Sequence, residues 1–113
     1  MSRVTTHILD TARGRPAANV AVTLERADPD GNWRTLASAR TDSNGRIAEF
    51  PGAGELTAAR HRLRFDIAPY FDAQNVRSFF PSVEIIFSVT APAEHHHVPL
   101  LLSPFGYTTY RGS

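Results

Sequence analysis

The sequence predicts an all-β protein, a two-sheet antiparallel sandwich of about eight strands. Three observations lead to this fold class. Short extended segments recur along most of the chain, turn residues separate them at intervals of about 8–12 residues, and helical periodicity is scarce. This combination is typical of a sandwich or barrel, in which each strand buries one face against a second sheet.

Strands are predicted where short runs of apolar and β-branched residues, most of them alternating with polar ones, lie between turns. In chain order they are Val4–Asp10, Val20–Arg26, Trp33–Arg40, a very short strand near Ile47–Glu49, His61–Ile67, Val83–Thr90, His95–Leu102 and Tyr107–Arg111. Tight turns are predicted at Gly31 and Gly45, because glycine accepts the positive φ angles that hairpins need. Pro16, in the longer connection 12–19, has no amide hydrogen to donate to a neighbouring strand. We therefore expect this connection to run outside the sheets.

One short helix is predicted over residues 69–75, where Pro69 suits the first helical position and Tyr70 and Phe71 face the core. In the strand Val83–Val89, residues at both odd and even positions are apolar. Both faces of the strand are therefore predicted to be covered. A sandwich covers only one face of each strand. The second face therefore indicates a covering element or a partner subunit.

Length and composition exclude several classes of protein. The 113 residues suit one domain, 1–113, with a single core, and the absence of cysteine excludes disulfides and thiolate catalysis. A net charge of +1 provides no field that would attract nucleic acid or an anionic membrane. The strand pattern starts at once, without a targeting segment, and no apolar run approaches the roughly 20 residues of a membrane helix. We therefore expect a cytoplasmic protein.

Three of the five histidines are consecutive, at His95, His96 and His97. Because side chains alternate along a strand, His95 and His97 share one face, about 7 Å apart, and His96 points the other way. Three interpretations are open: an exposed polar strand start, a zinc site completed by a residue such as His7 or Asp10, or a metal-free general acid or base. For His7, in the first strand, the ordinary outcome is a partly buried, hydrogen-bonded side chain.

Arg46 and Ser113 become functional candidates only beside a suitable ligand. An arginine after an Asn-Gly turn is ordinarily solvated, but its paired donors suit a flat, oxygen-rich molecule. No serine lies in a Gly-x-Ser-x-Gly elbow, and no phosphate-binding glycine loop is present. Composition and spacing alone therefore indicate a soluble all-β domain with a histidine-bearing edge.

Two blocks of sequence are more specific than this general pattern. They are Thr6-His7-Ile8-Leu9-Asp10-Thr11-Ala12-Arg13-Gly14-Arg15-Pro16-Ala17 and the run from His97 to Ser113 that ends in Tyr110-Arg111-Gly112-Ser113. Together with the Asn44-Gly45-Arg46 turn, they resemble the 5-hydroxyisourate hydrolases, transthyretin-related enzymes of urate breakdown. The resemblance covers nearly the whole chain. It implies a transthyretin-like sandwich, a homotetramer arranged as a dimer of dimers, and active sites in the channel between paired dimers.

The resemblance also implies the site residues. The catalytic residues are His7, Arg46, His97 and Ser113, and the substrate-binding residues are Arg46, Tyr110, Arg111, Gly112 and Ser113. In the implied reaction, water attacks a ring amide carbonyl of 5-hydroxyisourate and gives 2-oxo-4-hydroxy-4-carboxy-5-ureidoimidazoline. We assign His97 as the base and Arg46 as the group that offsets the developing negative charge. The scheme needs no metal and no cofactor.

Two other functions stay open at this point: a transthyretin-like carrier that binds an aromatic ligand without catalysis, and an adhesion or carbohydrate-binding module. The polar residues His7, Arg46 and His97 favour a polar substrate over the apolar ligand of a carrier. Trp33 stands alone on its strand, unlike the aromatic rows of carbohydrate-binding surfaces. The sequence departs from the family at His96, where these enzymes often have tyrosine. The catalytic assignment is unaffected, because His96 points away from His97.

Overall fold

In a computed structural model that describes residues 3–113, ten strands and one short helix form two sheets around a shared core. The strands are β1 (Arg3–Asp10), β2 (Arg15–Pro16), β3 (Ala21–Ala27), β4 (Trp33–Arg40), β5 (Arg46–Ile47), β6 (Ala59–Asp66), β7 (Val83–Val89), β8 (His95–His97), β9 (Leu100–Ser103) and β10 (Gly106–Thr109). The helix α1 (Ala68–Asp72) lies between β6 and β7. The predicted sandwich is confirmed.

The first sheet has the order β10-β9-β1-β2, with β5 and β8 also paired to β1, and the second has the order β4-β3-β6-β7. The second sheet is antiparallel throughout. In the first sheet, β1 runs parallel to β8 and β9, which differs from the predicted antiparallel arrangement. A hairpin forces neighbouring strands to be antiparallel, but the whole second sheet separates β1 from β8 along the chain, so no turn decides their direction.

The two strands beyond the predicted eight both arise at prolines. The predicted strand 95–102 is divided into β8 and β9 at Pro99, which has no amide hydrogen for a ladder. Pro16, expected outside the sheets, instead belongs to β2 and pairs with β1. Because β2 is an edge strand, its proline is tolerated, and the Ala17 amide continues the pairing with a 3.0 Å hydrogen bond to the Ile8 carbonyl.

Alternation along β1 assigns its two faces to different surroundings. Val4 and Ile8 are buried and belong to the core cluster, together with Leu63 of the second sheet. Thr5 and His7 consequently lie on the opposite face of the first sheet, away from that core. This outer face carries the candidate site.

The helix α1 is shorter than predicted and covers Ala68–Asp72 instead of 69–75. Pro69 lies in its first turn as predicted, and Phe71 is buried. The chain then leaves the helical conformation, and Asn75 has a φ of 56°, which asparagine tolerates better than most residues. The Tyr70 hydroxyl donates a 2.7 Å hydrogen bond to Oδ2 of the buried Asp10, which ties α1 to β1.

Removal of the Tyr70 hydroxyl is expected to destabilise the fold. In Tyr70→Phe, the Oδ2 atom of Asp10 loses its partner in a buried position, so the free energy of unfolding falls by about 1–3 kcal/mol. Denaturant titration measures the change. Tyr107→Phe is the matched control, since Tyr107 is 42% exposed and its hydroxyl has no hydrogen-bond partner within residues 3–113. Equal stabilities of the two variants would contradict the role assigned to the Tyr70 hydrogen bond.

Strand β7 leaves part of its second face open within one chain. Val83, Ile85 and Val89 are buried, but Ile86, on the other face, is 57% exposed. The partner that would cover this face stays a prediction. No helix in residues 3–113 has the length and apolar character that a membrane crossing requires.

Candidate active site

Strands β5 and β8 both pair with β1 and bring polar residues from distant parts of the chain to the outer face of the first sheet. His7 in β1 is directly opposite Arg46 in β5, and Thr5 in β1 is opposite His97 in β8. Residues paired in this way project from the same face, as do positions two apart along a strand. His7, Arg46 and His97 therefore share one surface, although they come from both ends and the middle of the sequence.

The turn before β5 holds Arg46 in place. Oδ1 of Asp42 accepts hydrogen bonds from the amides of Asn44 and Arg46, at 2.9 and 3.0 Å. Gly45 has a φ of 74°, and a Cβ at this position would lie 2.5 Å from the Ile8 carbonyl oxygen. The predicted glycine turn is confirmed, and the absence of a side chain at Gly45 lets the turn approach β1 closely enough for β5 to pair.

A threonine hydroxyl connects the two histidines that were predicted to share a face. Oγ1 of Thr5 lies 2.7 Å from Nε2 of His95 and 2.7 Å from Nδ1 of His97. The two ring centroids are 6.1 Å apart, which confirms the common face. Thr5 was not among the predicted site residues. Its position two residues before His7, on the same face of the strand, was the available signal.

The last residues of the chain are held beside β8 by hydrogen bonds to its backbone and to the segment after it. The Gly112 amide donates to the His97 carbonyl at 2.8 Å, in an isolated antiparallel bridge. The Thr109 hydroxyl donates to the Pro99 carbonyl at 2.8 Å. Ser113, the residue after this bridge, lines the same cavity as His97.

This cavity has a volume of about 240 Å³. Its lining residues include Arg3, Thr5, Arg46, His95, His97 and Ser113. His7 is not part of the lining but lies directly opposite Arg46 in the sheet. The volume is below the roughly 300 Å³ at which ordinary ligand pockets begin, so within one chain the cavity suits a small, polar ligand.

Burial and neighbouring positive charge keep the site histidines neutral. The pKa of His7 is lowered from the usual value of about 6.5, first by burial and then by the charge of Arg46. The pKa of His97 is lowered by burial first and then by His95, Arg46 and His7. Near neutral pH both rings are therefore mainly uncharged, which is the form of imidazole that accepts a proton.

Tyr110 and Arg111, predicted as substrate contacts, lie on another side of His97. Both line a second cleft, of about 230 Å³, beside β7. The Arg111 guanidinium donates to the carboxylate of Glu94 at 3.2 Å, which helps to hold the terminal segment. Within one chain they do not line the cavity that contains Arg46. Their contact with substrate stays a prediction.

His96 and Asp10 face the interior of the sandwich. His96 is 4% exposed, which confirms that it points away from His97. Asp10, considered as a further metal ligand, is 1% exposed and accepts the hydroxyl of Tyr70. Among residues 3–113, no group of three His, Cys, Asp or Glu side chains is placed to hold a metal ion.

The chain is similar over its whole length to proteins of two kinds. Residues 4–112 match the model of the HIUase/Transthyretin family. A 5-hydroxyisourate hydrolase of Caulobacter vibrioides is 44% identical over 117 residues, covering 100% of both chains. The structure of Klebsiella pneumoniae 5-hydroxyisourate hydrolase aligns with a TM-score of 0.86 and 38% identity, over 99% of this chain and 100% of that one. Sea bream transthyretin in complex with thyroxine aligns with a TM-score of 0.91 and 32% identity, over 97% of this chain and 94% of that one.

Proposed function

The chain belongs to the HIUase/Transthyretin family, and from this membership we propose that it hydrolyses 5-hydroxyisourate to 2-oxo-4-hydroxy-4-carboxy-5-ureidoimidazoline in urate breakdown. The observation that carries the proposal is the common surface of His7, Arg46 and His97 on the outer face of the first sheet. The relatives named 5-hydroxyisourate hydrolase support the same substrate.

His97 is the general base of the proposed reaction. Its pKa is lowered, so the neutral ring takes a proton from water as the water attacks a ring amide carbonyl of the substrate. The carbon–nitrogen bond of the ring then breaks, and the proton returns to the departing nitrogen. A well-placed group of this kind contributes about 10²–10⁴-fold to the rate.

Arg46 holds the planar, oxygen-rich substrate and offsets the negative charge that develops on the attacked carbonyl oxygen. Its guanidinium offers paired N–H donors in a rigid fork, which matches neighbouring oxygen atoms of such a ligand. His7, directly opposite Arg46, serves as proton partner of His97 or orients the substrate. Ser113 positions water or substrate through its hydroxyl, which is too weak a base to take the proton itself.

The terminal segment positions this machinery through Gly112. A Cβ at this position would overlap with the Cδ2 atom of the His97 ring and would lie 3.2 Å from its Cγ. We therefore expect Gly112→Ala to displace the ring or detach the segment. Since a displacement of about 1 Å costs about 10²-fold in rate, kcat is expected to fall by about 10–10²-fold, measured with fresh substrate.

Gly106→Ala is the matched control for this substitution. Gly106 lies in β10, and a Cβ there would meet only the Ser103 hydroxyl, at 3.8 Å, which is an ordinary contact. Its kcat is expected to equal that of the wild type. If Gly112→Ala is equally unaffected, the close packing of Gly112 on His97 has no part in catalysis.

We further propose that four copies assemble as a dimer of dimers in the cytoplasm, with the site in the channel between paired dimers. Exposed apolar side chains support an assembly, among them Ile86, Phe105 and Tyr110. Tyr110, Arg111 and Gly112 would then complete the substrate site together with the second copy. Sedimentation at micromolar concentration is expected to give the mass of four chains, and a single-chain mass would contradict the proposal.

A carrier without catalysis is the second candidate function, favoured by the similarity to sea bream transthyretin. Transthyretin of that species was solved with thyroxine bound, and thyroxine has a large apolar surface. The cavity of this chain is instead lined by Arg46, His95 and His97. These groups suit a polar substrate, so hydrolysis is the better supported function.

An absorbance assay separates the two functions. 5-Hydroxyisourate is produced in situ from urate, and the loss of its absorbance is followed with and without the purified protein. Hydrolysis predicts a rate that rises in proportion to protein concentration above the spontaneous decay. Decay at the spontaneous rate, together with saturable binding of thyroxine, would contradict the hydrolase proposal and support a carrier.

A further inference from the structure

The Thr5 hydroxyl touches two imidazole rings, at 2.7 Å from Nε2 of His95 and 2.7 Å from Nδ1 of His97. It has one hydrogen to donate, and it makes no other hydrogen bond within residues 3–113. At 6% exposure, Thr5 has little water available as a substitute acceptor. When both rings are neutral, one ring nitrogen therefore accepts the hydroxyl hydrogen and the other donates its own. The tautomers of His95 and His97 are coupled through this oxygen.

We propose that Nδ1–H of His97 donates to Thr5, that Thr5 donates to Nε2 of His95, and that this chain of hydrogen bonds keeps Nε2 of His97 free of a proton. The inference rests on the proposed function and deepens it. Thr5 and His95 are positioning residues, which act on the substrate only through the ring of His97.

The chemistry of the base decides between the two possible directions. A neutral imidazole carries one N–H, and Nδ1 of His97 is occupied by its contact with Thr5. If Thr5 donated to Nδ1, the ring hydrogen would be on Nε2, and no free nitrogen would remain to take a proton from water. The opposite direction leaves Nε2 available and makes His97 competent as a base.

A further observation agrees with this direction. His95 is exposed, so the Nδ1–H that this arrangement leaves on its ring can be solvated. When Nε2 of His97 takes a proton, the Nδ1–H bond to Thr5 persists, and no hydrogen bond has to rearrange during the reaction.

The tautomer of His97 can be measured without reference to activity. In protein labelled with ¹⁵N at histidine, long-range proton–nitrogen correlations above the pKa of the ring are expected to show hydrogen on Nδ1 and a bare Nε2. Hydrogen on Nε2 of neutral His97 would overturn the proposal. Because this spectrum needs no substrate, it tests the inference even if the protein does not hydrolyse 5-hydroxyisourate.

Substitutions at Thr5 test the consequence for the rate. Thr5→Val keeps the shape and removes the hydroxyl, so the second tautomer of His97 becomes populated and kcat falls by about 2–10-fold, the value of one net hydrogen bond, with KM unchanged. Thr5→Ser keeps the hydroxyl and is expected to restore both the tautomer and kcat. Equal kcat values for wild type and Thr5→Val, or equal losses in Thr5→Val and Thr5→Ser, would overturn the positioning role.

His95 offers an independent pair of variants. His95→Leu removes the acceptor of the Thr5 hydroxyl hydrogen, whereas the side-chain amide of His95→Gln retains an oxygen that can accept it. We expect the second tautomer of His97 to appear in His95→Leu and to be weaker in His95→Gln. An unchanged His97 spectrum in both variants would show that His95 does not influence the tautomer of His97.

Discussion

Replacement of His97 by alanine is expected to lower kcat for 5-hydroxyisourate by about 10²–10⁴-fold and to leave the fold intact. The ring is the proposed acceptor of the water proton, and its burial beside Arg46 keeps it neutral at the pH of the reaction. Steady-state rates at saturating substrate, corrected for spontaneous decay, measure the loss. Circular dichroism of the variant checks that the sandwich still forms.

His96→Tyr is the control for this variant. His96 is next to His97 in β8 but faces the interior, and the family resemblance of the sequence implies that tyrosine is accepted at this position. The kcat of His96→Tyr is therefore expected to stay near that of the wild type. A kcat for His97→Ala within twofold of the wild type would contradict the assignment of His97 as the base, whatever the control shows.

The second large effect is expected at Arg46. Arg46→Met removes a charged donor from the carbonyl oxygen on which negative charge develops, and kcat is expected to fall by about 10²–10³-fold. The same substitution removes a positive charge that lowers the pKa of both His7 and His97. Two measurements on one variant, the rate and its pH profile, therefore report on Arg46.

The sign of the pH effect follows from the role of His97 as a base. As the pH falls through the lowered pKa of His97, the ring becomes protonated and the rate decreases. Without the charge of Arg46 the ring protonates more readily, so the acidic limb of the profile moves to higher pH in Arg46→Met. Arg46→Lys keeps the charge and loses the paired donors, so its rate falls but its acidic limb stays near that of the wild type. An acidic limb at the same pH in all three proteins would show that the charge of Arg46 does not lower the pKa of His97.

Much of the fold could be predicted from local pattern. The predicted ends of the strands corresponding to β1, β3, β4, β6, β7 and β10 lie within two residues of the observed ones. The turns at Gly31 and Gly45 were also predicted, and both glycines have positive φ. The predictions failed at Pro16 and Pro99, because a proline's effect depends on whether the strand is at an edge, which is a property of the whole sheet.

Local pattern likewise predicted some features of the candidate site and missed others. Alternation alone predicted that His95 and His97 share a face and that His96 points the other way, and both predictions are confirmed. Neither alternation nor turn chemistry brings His7 to Arg46, and the resemblance to a family supplied that association. Thr5 was missed although it shares a face with His7, because its hydroxyl gains a role only when β8 pairs with β1, which no local pattern predicts.

The sequence by itself determined where the strands and turns occur and which side chains share a face, since these depend on neighbours a few residues apart and on backbone conformation. Tertiary structure alone decided that β1 lies between β5 and β8, runs parallel to β8, and places the Thr5 hydroxyl 2.7 Å from each of two imidazoles. Pairing between the two ends of the chain is selected by the burial of apolar faces of both sheets at once. The entropy of closing so long a loop rises only slowly with length, so separation along the sequence does not prevent that choice.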